Sequence, residues 1–227
     1  MIAIAIDGPA GAGKSTIARK AAKTMGFIYV DTGALYRAIG LYMLQNDIHS
    51  SDEKAVCAEL SKITVTLAFQ GGEQKVLLCG KDVTPDIRTE EVSKAASAVS
   101  AIPKVRDFLF SMQRDLARTK NVIMDGRDIG TVVLPHAQVK IFLTASQEER
   151  ARRRYKELVQ KGQKAEYADV LKDIEQRDYQ DSHREIAPLV PAKDSVRIDT
   201  TGITLEESIE RILDTIRAEL KNLNETW

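Results

Sequence analysis

Apolar positions along the 227 residues fall into two rhythms. Five short unbroken runs, Ile2–Ile6, Phe27–Val30, Val122–Met124, Val139–Leu143 and Val196–Ile198, predict strands buried on both faces. Stretches with helical spacing separate most of them. Strands alternating with helices predict an α/β fold of three layers, a five-stranded parallel sheet flanked by helices. The tail places Leu205, Ile209, Ile212, Leu213, Ile216 and Leu220 on one helical face, which predicts a helix packed on the core. One segment keeps a different period. Ile63–Phe69 alternates, Gln70-Gly71-Gly72-Glu73 turns, and Lys75–Cys79 follows, with Gly80-Lys81-Asp82-Val83 as a further turn. This predicts a small antiparallel β insertion.

Composition narrows the partners. Basic and acidic residues balance, 33 against 33, so no global charge draws the chain to nucleic acid or to a membrane surface. Cys57 and Cys79 form no C-x-x-C pair and are expected as free, partly buried thiols in a reducing compartment. Because the first predicted strand begins at Ile2, no basic-then-apolar leader is expected to open the chain, and no apolar run approaches ~18 residues. A soluble, cytoplasmic protein is expected.

The first apolar run leads into Asp7-Gly8-Pro9-Ala10-Gly11-Ala12-Gly13-Lys14-Ser15-Thr16, which obeys G-x-x-x-x-G-K-[ST] between a strand and a helix start. That is a phosphate-binding P-loop in its required context. Glycines let main-chain N–H groups converge on phosphate oxygens, and the helix N-terminus favours negative charge. Gly8 through Thr16 are therefore candidate ATP-binding residues. Lys14 is expected to reach the β- and γ-phosphates, and the Ser15 hydroxyl to sit on Mg²⁺.

Other runs also end in carboxylates, at Asp31, Asp125 and Asp199, where an open α/β sheet places ligands. Asp199 reads better as a turn residue. Asp125 is placed to support Mg²⁺ through its water shell. Arg37, shortly after the second strand, suits a second, acceptor phosphate, or is an exposed helix arginine. Gly126-Arg127-Asp128 brings a cation and a carboxylate to the same strand end, where the two could instead pair with each other. The run Glu149-Arg150-Ala151-Arg152-Arg153-Arg154 reads as the start of a helical lid, with Arg153 assigned to ATP, or as a solvated helix face. Arg177, Asp181 and Arg184 share one helical stripe, either as a local ion pair or as guanidiniums spanning two phosphates around a sugar-binding carboxylate. His49, His136 and His183 have no metal-ligand spacing.

Taken together, the P-loop, the Asp31–Arg37 segment, Gly126–Thr131, and Arg177-Asp178 with Asp181 and Arg184 resemble the bacterial cytidylate kinases, a family of nucleoside monophosphate kinases. Ala95-Ala96-Ser97, Pro103-Lys104-Val105-Arg106, Ala187–Ala192 and the β insertion match the same pattern, and the resemblance runs over essentially the whole chain. It implies one P-loop kinase domain: a core (about 1–35, 105–148 and 172–227), an acceptor-binding region with the insertion (about 36–104) and a lid (about 149–171). It implies phosphoryl transfer from ATP with Mg²⁺ to CMP or dCMP. Asp128 and Ser97 would face the cytosine amino group and Arg106 its N3 and O2. Arg37, Arg127 and Arg184 would hold the acceptor phosphate, with Asp181 on the sugar, Arg177 near the transferred group and Thr32 among the substrate contacts. Lys14, Arg127, Arg177 and Arg184 are the expected catalytic set. The family suggests a monomer with no nucleic-acid or membrane partner. Two other readings stay open: a P-loop kinase for UMP, AMP or shikimate, and a regulatory nucleotide-binding module.

Overall fold

The computed structural model describes residues 1–71 and 73–225, so Gly72 of the expected hairpin turn lies outside the described residues. In chain order the elements are β1 (Ala3–Asp7), α1 (Lys14–Met25), β2 (Ile28–Asp31), α2 (Thr32–Gln45), α3 (Glu53–Glu59), β3 (Val65–Gln70), β4 (Glu73–Leu78), β5 (Lys81–Asp82), α4 (Glu90–Ser100), α5 (Pro103–Thr119), β6 (Val122–Gly126), β7 (Val139–Thr144), α6 (Gln147–Gln160), α7 (Tyr167–His183), β8 (Val196–Asp199) and α8 (Leu205–Glu225). Among the described residues, the parallel sheet has the order β2-β6-β1-β7-β8, and an antiparallel sheet the order β3-β4-β5. The expected three-layer α/β architecture is the one observed.

The chain divides into two compact units. Residues 28–122, with Met1, form one; residues 2–27 and 123–227 form the other. In the second unit β1 is buried along its length, as a continuous apolar run requires of an interior strand. It pairs with β7 in the register Ile4↔Val139 to Asp7↔Phe142, and β7 pairs in turn with β8. Ile17, Ala18, Ala21 and Ala22 of α1 are buried, as are Ile212, Leu213 and Ile216 of the tail stripe; Ile209 and Leu220 are half-buried, and Leu205, at the first turn of α8, is exposed instead of packed on the core. Helices α6 and α7 share a small separate cluster of Ala151, Val170 and Ile174.

The first unit has its own core, in which Leu35, Ile39 and Met43 of α2 meet Val99 of α4, Leu109 of α5 and Val76 of β4. Gly40 sits where α2 and α4 meet: an added Cβ would lie 2.9 Å from the Ala96 nitrogen. Strands β3 and β4 form the predicted hairpin in the register Val65↔Leu78 to Gln70↔Glu73. The further turn expected over Gly80–Val83 is shorter. Cys79 and Gly80, both at positive φ, reverse the chain, and Lys81–Asp82 already pair with β4. Both thiols are free; Cys57 is half-buried as expected, whereas Cys79 is exposed. Among the described residues no helix is long and apolar enough to cross a membrane.

Candidate active site

The P-loop follows β1 as the sequence predicts. Gly8 must be glycine, because a Cβ there would overlap the carbonyl oxygen of Leu143 on the neighbouring β7. Gly13, at φ 85°, caps the start of α1. Lys14 is buried and donates to the Pro9 carbonyl at 2.7 Å, so its ammonium curls over the loop. Burial, and then the neighbouring Arg127 guanidinium, push the Lys14 pKa well below that of a free lysine, against the pull of Asp125, Asp181 and Asp7. The Ser15 hydroxyl donates to Asp125 Oδ2 at 2.8 Å. A hydroxyl beside a buried carboxylate is a hard-oxygen pair of the kind Mg²⁺ uses with substrate phosphates, so these residues fit the ion. Gly11, Thr16 and the half-buried Ala10 complete the loop.

Behind the loop, Asp7 is the anchor. Its carboxylate accepts the Ile129 N–H at 2.8 Å and the Gly130 N–H at 2.7 Å. These amides open the π-helical turn Ile129–Val133 that follows Arg127 and Asp128. Burial raises the Asp7 pKa to about 6, although both N–H bonds and Lys14 favour its charged form. Arg127 and Asp128 each have an ion-pair partner in or just after α7. Arg127 Nε binds Asp181 Oδ2 at 2.7 Å, while Arg184 Nη2 lies 3.5 Å from Asp128 Oδ1. Burial opposes the charge on Arg127, but Asp181 outweighs it and raises its pKa. Burial likewise works against the Asp181 carboxylate, yet Arg127, Arg177 and Arg184 together hold its pKa below the ordinary value.

The single stripe expected for Arg177, Asp181 and Arg184 is corrected at its end. Helix α7 stops at His183, and Arg184 has an extended backbone. Its guanidinium is aimed by a different device: Nε donates to the Ala187 carbonyl at 2.6 Å, and Ala187 adopts φ 48°, unusual for a residue with a side chain. Asp181 is held at its main chain too, where its carbonyl accepts the Leu189 N–H.

In the arginine-rich run, Arg153 binds Glu149 and both the carbonyl and hydroxyl of Thr200. The P-loop contact comes from Arg150, which sequence reasoning passed over. Arg150 is 3 % exposed. It donates to the Ala10 carbonyl at 2.9 Å, to the Ala145 carbonyl, and in bidentate fashion to Asp178 at 3.0 and 2.5 Å. A charged run on a helix reads as solvated, so only its first-turn position beside a strand end hinted otherwise.

In the first unit, Asp31 organises the start of α2. Its Oδ1 caps the helix by accepting the Ala34 N–H, and its Oδ2 accepts from Arg37 at 2.7 Å. Thr32, the first helical residue, is buried. Gln74 of β4 grips the Asp31 main chain at both groups, accepting its N–H and donating to its C=O. Arg106 is buried, donates to the Ser100 carbonyl at 3.2 Å and lies 5.8 Å from the Tyr36 ring centroid. Ser97 is half-buried on α4, one turn before Ser100.

A glycine-rich phosphate loop opening a helix on a parallel sheet, backed by buried lysine, paired carboxylates and fixed arginines, defines a P-loop phosphotransferase. The fold is shared with a gluconokinase from Sinorhizobium meliloti (TM-score 0.52, 14% identity, covering 99% of this chain and 97% of that one). Within that class the chain belongs to the cytidylate kinase family, whose model matches residues 4–218. It is 52% identical to the cytidylate kinase of Caldicellulosiruptor saccharolyticus over 94% of both chains. It is also 52% identical to that of Caldanaerobacter subterraneus (97% of this chain, 96% of that one) and 47% identical to that of Lactobacillus johnsonii (98% and 96%).

Proposed function

We propose that this protein transfers the terminal phosphoryl group of MgATP to CMP or dCMP, giving ADP and CDP or dCDP. One observation carries the reading. The P-loop, the Arg127–Asp181 pair and the Asp128–Arg184 pair belong to one compact unit, and Asp7 ties the loop after β6 to the strand that feeds the P-loop. An oxygen of the acceptor phosphate attacks the γ-phosphorus in line while the bond to the β–γ bridging oxygen breaks. No protein nucleophile enters. The protein supplies position, positive charge and exclusion of water.

In this reading the Gly8–Thr16 loop cradles the ATP phosphates and Lys14 balances charge on the transferred group. Ser15 would hold Mg²⁺ directly and Asp125 through water; the ion would neutralise charge on the β- and γ-oxygens. Arg177 lies with the transferred group, and Arg153 is assigned to ATP after release from Thr200. Arg127, Arg184 and Arg37 are assigned to the acceptor phosphate, Asp181 to the sugar, and Thr32 to the same substrate. Asp128 and Ser97 accept from the cytosine amino group, and Arg106 donates to N3 and O2. Uracil replaces that amino donor with an acceptor and would leave Asp128 repelled. A cytoplasmic monomer goes with this reading; light scattering tests the oligomeric state.

Identity near 50% to several cytidylate kinases does not favour another acceptor or a regulatory module. The deciding assay is coupled ADP release with MgATP and CMP, dCMP, UMP, AMP, GMP or no acceptor. Strong turnover on CMP and dCMP is the expected result. Equal release in every tube would make the protein an ATPase.

A further inference from the structure

Asp31 Oδ2 faces two guanidiniums. Arg37 donates to it at 2.7 Å, and Arg88 Nη2 lies 3.7 Å from the same oxygen. Oδ1 is already engaged as the cap of α2. One carboxylate charge therefore sits between two permanent positive charges, and the cluster keeps an excess of one. The arginines arrive from different elements, Arg37 from α2 and Arg88 from the 3₁₀ turn Asp86–Arg88.

The backbone beneath Arg88 is fixed on both sides. Ile87 is 1% exposed in the core of this unit, and Thr89 caps α4 by accepting the Val92 N–H. The Arg88 side chain itself is 56% exposed. Asp31 is equally fixed, because Gln74 binds both its main-chain groups. The Nε of Arg37 is buried with no hydrogen-bond partner. Two arginines that rise from fixed backbone, share one carboxylate and carry surplus charge match a dianion with several acceptor oxygens. A phosphate monoester is such a group.

We propose that Arg88, together with Arg37, binds the phosphate of the acceptor nucleotide, and that Asp31 is the positioning residue that sets the two guanidiniums side by side. The assignment rests on the reading of the chain as a CMP kinase. It places Arg88 on the acceptor, not on ATP, because it shares its carboxylate with Arg37 and stands just before Thr89, the cap of the helix that bears Ser97.

The test compares CMP with cytidine, which lacks the phosphate, in the wild type and in Arg88→Ala. The variant should raise KM for CMP about tenfold. KM for MgATP and inhibition by cytidine should stay within about twofold, and Arg88→Lys, which restores charge without the fork, should recover part of the loss. An unchanged KM for CMP overturns the proposal. So does an equal loss for CMP and cytidine, which would make Arg88 a support of the fold. Should Arg88→Ala fail to fold, Arg88→Gln decides by the same ratio of CMP to cytidine affinity. Wild-type protein that turns over no CMP would overturn the kinase reading itself; active wild type with an indifferent variant overturns only the role of Arg88.

Discussion

Asp7 bears on two chemistries without touching the proposed substrates, since its carboxylate holds the turn after Asp128 and its chain continues into the P-loop. Its folded pKa of about 6 lies above the ordinary 3.8, so folding takes up a proton between those values. The sign follows: this group adds stability as pH falls through 6 toward 3.8, and above 6 the fold carries a buried charge. Chemical denaturation of wild type and Asp7→Asn should therefore diverge by about 2 kcal/mol more at pH ~4.5 than at pH ~7, in favour of the wild type. Parallel pH profiles would contradict the assignment. At Asp128, replacement by Ala should lower kcat/KM for CMP by about 100-fold or more while leaving UMP much less affected, so that the preference collapses. Steady-state kinetics with both acceptors check it. Both aspartates were visible in the sequence as carboxylates at or just after strand ends. Their partners were not: Asp7 is 122 residues from Ile129, and Asp128 is 56 from Arg184.

At the scale of elements, the junction of α6 and α7 is where reading and structure part most. The arginine run looked like a lid face, yet Arg150 is buried between the P-loop carbonyl of Ala10 and Asp178. A buried bidentate pair is strongly coupled, because removing one partner strands the other charge. A double-mutant cycle on Arg150→Met and Asp178→Leu should show a coupling of about 2 kcal/mol in stability, with each single variant also raising KM for MgATP. Additive losses would show that the two side chains act independently. The β insertion was legible from its period of two, and the shortened turn before β5 was not, because Cys79 takes a left-handed conformation that composition does not announce. Arg184 departs from the helical stripe for a similar reason. The chain leaves the helix at His183, and the carbonyl of Ala187 captures the guanidinium.

For the molecule as a whole, balanced charge leaves no net charge to attract a nucleotide, so its affinity has to come from local placement. MgATP at about 100 times its Kd should stabilise the protein by about 2.7 kcal/mol, read as a rise in melting temperature. ADP release without an acceptor should stay slow, since a kinase site is completed by its second substrate. A vigorous ATPase in CMP-free buffer would count against the proposed reaction. The sequence by itself determined the strand set, the P-loop with Lys14 and Ser15, the β insertion and the family pattern. Each of these is written within a few neighbouring residues, where periodicity and backbone chemistry act locally. Only the tertiary structure decided which carboxylate takes which arginine: Arg127 with Asp181, Arg184 with Asp128, Arg150 with Asp178, and Arg37 and Arg88 on Asp31. Those choices depend on which groups packing brings within a few ångströms and strips of water, where charge pairing is strong and selective.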